Sequence, residues 1–168
     1  MAAGNPLYDI HNAFWDMLED KSYFTDLVKA GNRRKLTTAK WDFFQEHAQP
    51  ADYPEVTIVQ TGVEAGDRAL GCNGTALRLI YEVWIATGEQ PADSFWDVQW
   101  AVFRAFMDWE DHVGALTWDD PEGKVWNCDL LNSEDSLLNK RLNREVKGWS
   151  CAWRGAVDCD FTHSTLNS

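Results

Sequence analysis

The first periodic segment of the chain is apolar at Leu7, Ile10, Phe14 and Met17/Leu18. Spacings of three and four put these side chains on one side of a helix. Asn5 stands where an N-cap belongs, and Pro6 falls at the first helical position, where a missing N–H costs nothing. Ser22 then caps a second short helix carrying Tyr23, Phe24, Leu27 and Val28, and Gly31 is placed to close it. Arg33, Arg34 and Lys35 follow as one compact basic cluster, read as a solvated loop. Pro50 and Pro54 stop any helix over residues 48–54 and deliver the chain in extended form to a first strand at 55–60.

Residues 62–74 read as a long connection able to reach a partner. A second strand covers 75–87, with Leu77, Leu79, Tyr81, Val83 and Ile85 on its core face and Arg78, Ile80, Glu82, Trp84 and Ala86 on the other. Pro91 and Asp93/Ser94 open the strongest helix, apolar at Phe95, Val98, Val102, Ala105, Phe106 and Trp109. Trp96, Trp100, Phe103 and Met107 widen that stripe beyond what one sheet face can bury. The N-terminal helix or a neighbouring subunit is the expected second cover. Asp120-Pro121-Glu122-Gly123 has a turn composition and leads into a third strand at 125–130. Strict alternation from Trp149 through Cys151, Trp153, Gly155, Val157 and Cys159 to Phe161 defines the last strand.

The predicted order is α-α-β-β-α-β-β, an α+β single domain over residues 1–168 with a mainly antiparallel central sheet and its helices on one face. Two strands look too long for a domain of this size. Either Gly155 marks a bulge, or the C-terminal hairpin at 125–161 projects from the body and needs a partner to bury its tryptophans.

Composition narrows the function. With 168 residues, 45% hydrophobic and 25% charged, the chain suits one ordinary core. A net charge of −12 has the wrong sign for gripping nucleic acid through its phosphates. No apolar run approaches the roughly 20 residues of a membrane span, and the N-terminus lacks a signal-peptide pattern, so cytoplasmic assembly without a membrane is expected. Ten tryptophans point to heavy packing at cores and interfaces.

The four cysteines form no C-x-x-C pair and read as small buried thiols. The common phosphate, nucleotide, acyl-transfer and zinc signatures are missing, so neither an enzyme nor a cofactor is expected. The one enzymatic alternative is an acidic metal-dependent site from Asp108, Glu110, Asp111 and His112, where Asp108 and His112 lie one helical turn apart. A small host-directed binding module is another alternative.

Four stretches carry a family resemblance: Ala51-Asp52-Tyr53-Pro54-Glu55-Val56, Tyr81-Glu82-Val83-Trp84-Ile85-Ala86-Thr87-Gly88, Val98-Gln99-Trp100-Ala101-Val102 and Gly148-Trp149-Ser150-Cys151-Ala152-Trp153-Arg154. Together they resemble, in order across residues 5–162, the tail terminator or tail-completion proteins of tailed bacteriophages, the minor tail protein U type. The polar segment Asn132-Ser133-Glu134-Asp135-Ser136, followed by Lys140, Arg141 and Arg144, is longer than the resemblance leads one to expect.

The resemblance implies a non-enzymatic virion protein, assembled in the host cytoplasm as a ring of typically six copies on the head-proximal end of the tail tube. Its implied partners are further copies of itself, the tail tube protein and the neck or head-completion protein, with double-stranded DNA passing through unbound. A neck or head-completion role is the near alternative. Arg33, Arg34, Lys35, Trp126, Lys140, Arg141, Arg144, Trp149 and Trp153 are the expected subunit or partner contacts, and Arg33, Arg34 and Lys35 are expected to meet an acidic neighbour. Asp119, Asp120 and Glu122 are candidates for an acidic lumen or surface that repels phosphate.

Overall fold

The computed structural model describes residues 4–37, 53–65, 74–119, 122–134 and 148–162. Among them run α1 (Pro6–Glu19), α2 (Ser22–Thr25), a 3-10 turn (Ala30–Asn32), β1 (Arg33–Thr37), β2 (Glu55–Ala65), β3 (Gly74–Gly88), α3 (Ala92–Phe106), α4 (Trp109–His112), β4 (Thr117–Asp119), β5 (Glu122–Glu134) and β6 (Trp149–Thr162). The expected order is present, with two short strands, β1 and β4, the 3-10 turn and the short helix α4 added to it. The strands form one sheet in the order β1-β2-β3-β6-β5-β4. Only β1 and β2 pair in parallel; β2–β3, β3–β6, β6–β5 and β5–β4 are antiparallel.

Local chemistry explains the helix ends. Asn5 Oδ1 accepts hydrogen bonds from the backbone N–H of Leu7 at 3.1 Å and of Tyr8 at 3.5 Å, so α1 is capped as its sequence indicates. Ser22 is the first residue of α2, whose N-cap is Lys21, and Gly31 belongs to the 3-10 turn instead of ending a helix.

Period-two alternation sorts the sheet into two faces. Val56 and Ile58, Leu79, Tyr81, Val83 and Ile85, Cys151, Val157, Cys159 and Phe161 point to the helices and join Ile10, Phe14, Met17, Leu18, Val98, Val102 and Phe106 in one core. Phe14 sits at its centre, its ring 4.6 Å from that of Tyr81 and 5.3 Å from that of Phe106. Trp118 Nε1 donates to Asp9 Oδ2 at 2.9 Å, tying β4 to the start of α1.

The other sheet face is also buried at Thr57, Val59, Glu82, Trp84, Ala86 and Ala152. Its charges are paired across strands. Arg78 on β3 donates to both carboxylate oxygens of Asp158 on β6, at 2.8 and 3.1 Å, and Asn127 on β5 adds a third bond at 3.2 Å. Glu82 accepts from Trp84 Nε1 at 2.8 Å, with Arg154 Nε 3.7 Å away.

Three sequence expectations are corrected here. Arg33, Arg34 and Lys35 lie on a strand and not in a loop: β1 adds to β2 in parallel with Arg33 opposite Val56. The stretch read as a long connection from residue 62 is still β2 as far as Ala65, with Val63 opposite Leu79, and Gly74 already begins β3. Residues 66–73 lie outside the described residues.

The C-terminal hairpin does not project, because β6 pairs with β3 along its whole length, from Gly88↔Trp149 to Gly74↔Thr162. Gly155 pairs in register with Tyr81 and Leu130, and the bulge it was expected to mark lies on the neighbouring strand, where Leu131 is the extra residue between Leu130↔Gly155 and Asn132↔Arg154; a Cβ at Gly155 would meet the Asp129 carbonyl at 2.7 Å, which is why glycine occupies it. The long strands are accommodated by bulges there and at three other points. Register shifts fall at Thr61 on β2, at Thr87 on β3 and at Trp126 and Leu131 on β5, and each extra residue bends and twists its strand.

Candidate subunit interface

The helix α3 covers the sheet with Phe95, Val98, Ala101, Val102, Ala105 and Phe106, all buried. Its opposite flank is apolar too. Trp96 and Trp100 are each 58% exposed, Phe103 is 37% and Met107 is 64%. Positions 96, 100, 103 and 107 fall on one helical line, so the four side chains make a continuous ridge. The Trp100 and Phe103 rings stack with centroids 5.9 Å apart. At its inner border the ridge meets β6: Phe103 packs against Trp153 with centroids 6.0 Å apart, and the buried Phe95 stacks on Trp149 at 5.9 Å.

Soluble proteins tolerate single exposed apolar residues, whereas a contiguous aromatic ridge marks a surface that something covers. The sequence already carried the signal, in an apolar stripe too wide for one sheet face. The N-terminal helix does cover α3 as expected, but on its inner side, where Phe14 packs against Phe106, and the ridge itself stays exposed. Acidic side chains border the ridge on its outer side, Asp93 and Asp97, both exposed.

The expected interface residues are distributed as follows. Trp149 is 45% exposed and Trp126 41%, and Trp153 is half-buried against the core. Trp149 and Trp153 border the α3 ridge; Trp126 stands apart on the β5 bulge. Arg33 is held inside the chain, its Nη1 2.5 Å from Glu19 Oε2 and its Nε donating to the Val28 carbonyl at 2.6 Å. Arg34 pairs with Glu55 at 3.0 Å. Two of the three basic side chains thus meet acidic neighbours within their own chain. Lys35 is exposed and donates to Asn12 Oδ1 at 2.5 Å.

Asp119 and Glu122 are exposed and face one another across β4 and β5, beside a groove of about 410 Å³ that Trp118, Lys124, Asp160 and Phe161 also line. Asp120, Lys140, Arg141 and Arg144 lie outside the described residues.

The acidic helix end is engaged at Asp108 in an ion pair. Asp108 Oδ2 is 2.7 Å from Lys21 Nζ, and hydrogen bonding and charge from that ammonium hold the Asp108 carboxyl below its ordinary range. His112 Nδ1 lies 3.9 Å from Asp20. Among the described residues no three His, Cys, Asp or Glu side chains converge in a metal-binding arrangement.

No protein-family model matches the chain, and no curated protein matches it in sequence. Solved structures do. A chain of the virion of a native gene transfer agent particle aligns with TM-score 0.52 at 12% identity, covering 93% of this chain and 96% of that one. The sheath/tube terminator of an extracellular contractile injection system, in its extended state, aligns with TM-score 0.55 at 10% identity. The fold is one used in phage-tail-like particles. The alignment to the terminator takes in all of this chain but only 59% of that one, so the fold described here spans little more than half of the injection-system protein.

Proposed function

We propose that the chain is the tail terminator of a phage-like particle, a structural virion protein and not an enzyme. Copies of it, six in the simplest case, form a ring on the head-proximal end of the tail tube, stop tube polymerisation and offer the surface on which the neck or head-completion protein docks. The observation that carries this reading is the solvent-exposed aromatic ridge of α3 on a fold shared with a sheath/tube terminator. A monomer that leaves Trp96, Trp100 and Met107 in water is built for assembly. The net charge of −12 supports a ring through which double-stranded DNA passes without binding, since like charges repel.

Electron microscopy of particles made with an early stop codon in this gene tests the reading. Overlong or uncapped tails beside filled heads are expected. Tails of normal length detached from heads would instead assign the chain to the neck or head-completion position, and intact infectious particles would refute a structural role.

A further inference from the structure

The aromatic ridge of α3 is bordered by carboxylates. Asp93, Asp97 and Arg104 follow one helical line beside it, at spacings of four and seven. The one cation on that line is already engaged, because the Arg104 guanidinium lies 4.2 Å from the centre of the Tyr23 ring on α2. Asp93 and Asp97 are exposed, and neither has a cation for a partner among the described residues. At the far end of the ridge Glu110 and Asp111, also exposed, follow Met107 by three and four residues, while Lys21 is taken up by Asp108 at 2.7 Å. Trp96 and Trp100, each 58% exposed, therefore stand beside carboxylates that lack a counter-charge.

That combination selects by charge. Nucleic acid phosphates and anionic lipid headgroups are repelled by it. A second copy is a poor match, since the chain carries −12 and its Arg33, Arg34, Arg78 and Arg154 sit beside Glu19, Glu55, Asp158 and Glu82 of the same chain. An arginine from another protein is attracted twice, to the electron-rich indole and to the carboxylate next to it. The ridge is also narrow: positions 96 to 107 lie on one helix and span about 16 Å, or about three turns. We propose that its occupant is a basic amphipathic helix of a different protein, laid along α3 with apolar side chains on Phe103 and Met107 and arginines between Trp96, Trp100 and the Asp93–Asp97 line. The inference goes beyond the terminator reading, because it gives the ridge to a protein other than a further copy.

Isothermal titration calorimetry of the full chain with two synthetic helical peptides of about 14 residues tests it. One carries leucines on one face and arginines on the flanks; the other has glutamates in place of the arginines. The arginine peptide is expected to bind and the glutamate peptide not to. Trp96→Ser/Trp100→Ser should weaken binding by about thirtyfold or more. Asp93→Asn/Asp97→Asn should weaken it by about fivefold at low salt and by less at high salt, where screening mutes exposed pairs. All four side chains are exposed, and circular dichroism checks that both variants fold.

Equal binding of the two peptides, or undiminished affinity in either variant, would overturn the proposal. So would an arginine peptide that fails to bind at about 1 mM, including one that binds only after Lys140, Arg141 and Arg144 are changed to glutamate, a result that assigns the ridge to this chain's own basic stretch. Sedimentation velocity showing self-association of the wild type and not of the tryptophan variant would overturn it in favour of a second copy. None of these results touches the terminator reading, which fails only in the particle experiment.

Discussion

Asp158→Asn probes the charged ladder that joins three central strands. The carboxylate takes two hydrogen bonds from Arg78 and one from Asn127, so it links β3, β6 and β5 through one side chain. Burial alone would push the Asp158 carboxyl upward, but the bonds from Arg78 and Asn127 and the guanidinium charge outweigh it and hold the group below its ordinary value. The asparagine keeps the shape and loses the charge. A hydrogen bond to a charged partner contributes about 1.5–3 kcal/mol, and the figure is reduced here because the Arg78 side chain is 42% exposed and screened by water.

A loss of about 2 kcal/mol is expected at pH 7, seen as a lower urea midpoint and a melting temperature down by about 4–8 °C for a chain of this length. The pH dependence has a fixed sign. A carboxyl whose folded value lies below its unfolded one, about 3.9, contributes fully above that unfolded value, and the contribution fades as pH falls through the folded value. The gap between wild type and Asp158→Asn should therefore be complete at pH 7 and shrink below about pH 4. Equal stability at pH 7, or a gap that persists undiminished into acid, would refute the reasoning.

Two further outcomes follow from burial. Trp153→Ala should cost about 3 kcal/mol and Trp149→Ala about 1 kcal/mol or less, since Trp153 packs into the core while Trp149 keeps 45% of its surface in water; equal costs by urea titration would contradict this. Burial also pushes the thiols of Cys128 and Cys159 up to about 12, and Cys151 is fully buried. A thiol reagent at pH 8 should spare these three cysteines in the native protein and label them only on unfolding, as peptide mass spectrometry would read; rapid native labelling would count against it.

What the sequence determined by itself was whatever depends on near neighbours along the chain. Spacings of three and four fixed α1 and α3, and alternation fixed β3 and β6 together with the side that meets the helices, because backbone geometry makes those periods local. The surplus width of the α3 stripe was legible for the same reason.

Tertiary structure decided what depends on partners far away in sequence. Arg33, Arg34 and Lys35 look like a solvated loop until β2 offers a parallel edge and Glu19 and Glu55 offer counter-charges. Gly155 signals a bulge that the structure places on the partner strand, at Leu131 opposite it, while the bulges at Thr61, Thr87 and Trp126 are marked by no local pattern. Glu82 and Trp84 alternate onto what looks like a solvent face, yet both are buried and bonded to each other. Which apolar stripe would remain uncovered was likewise a tertiary outcome: periodicity shows that a side chain avoids water, but only the arrangement of α1, α2 and the sheet determines whether another part of the same chain covers it.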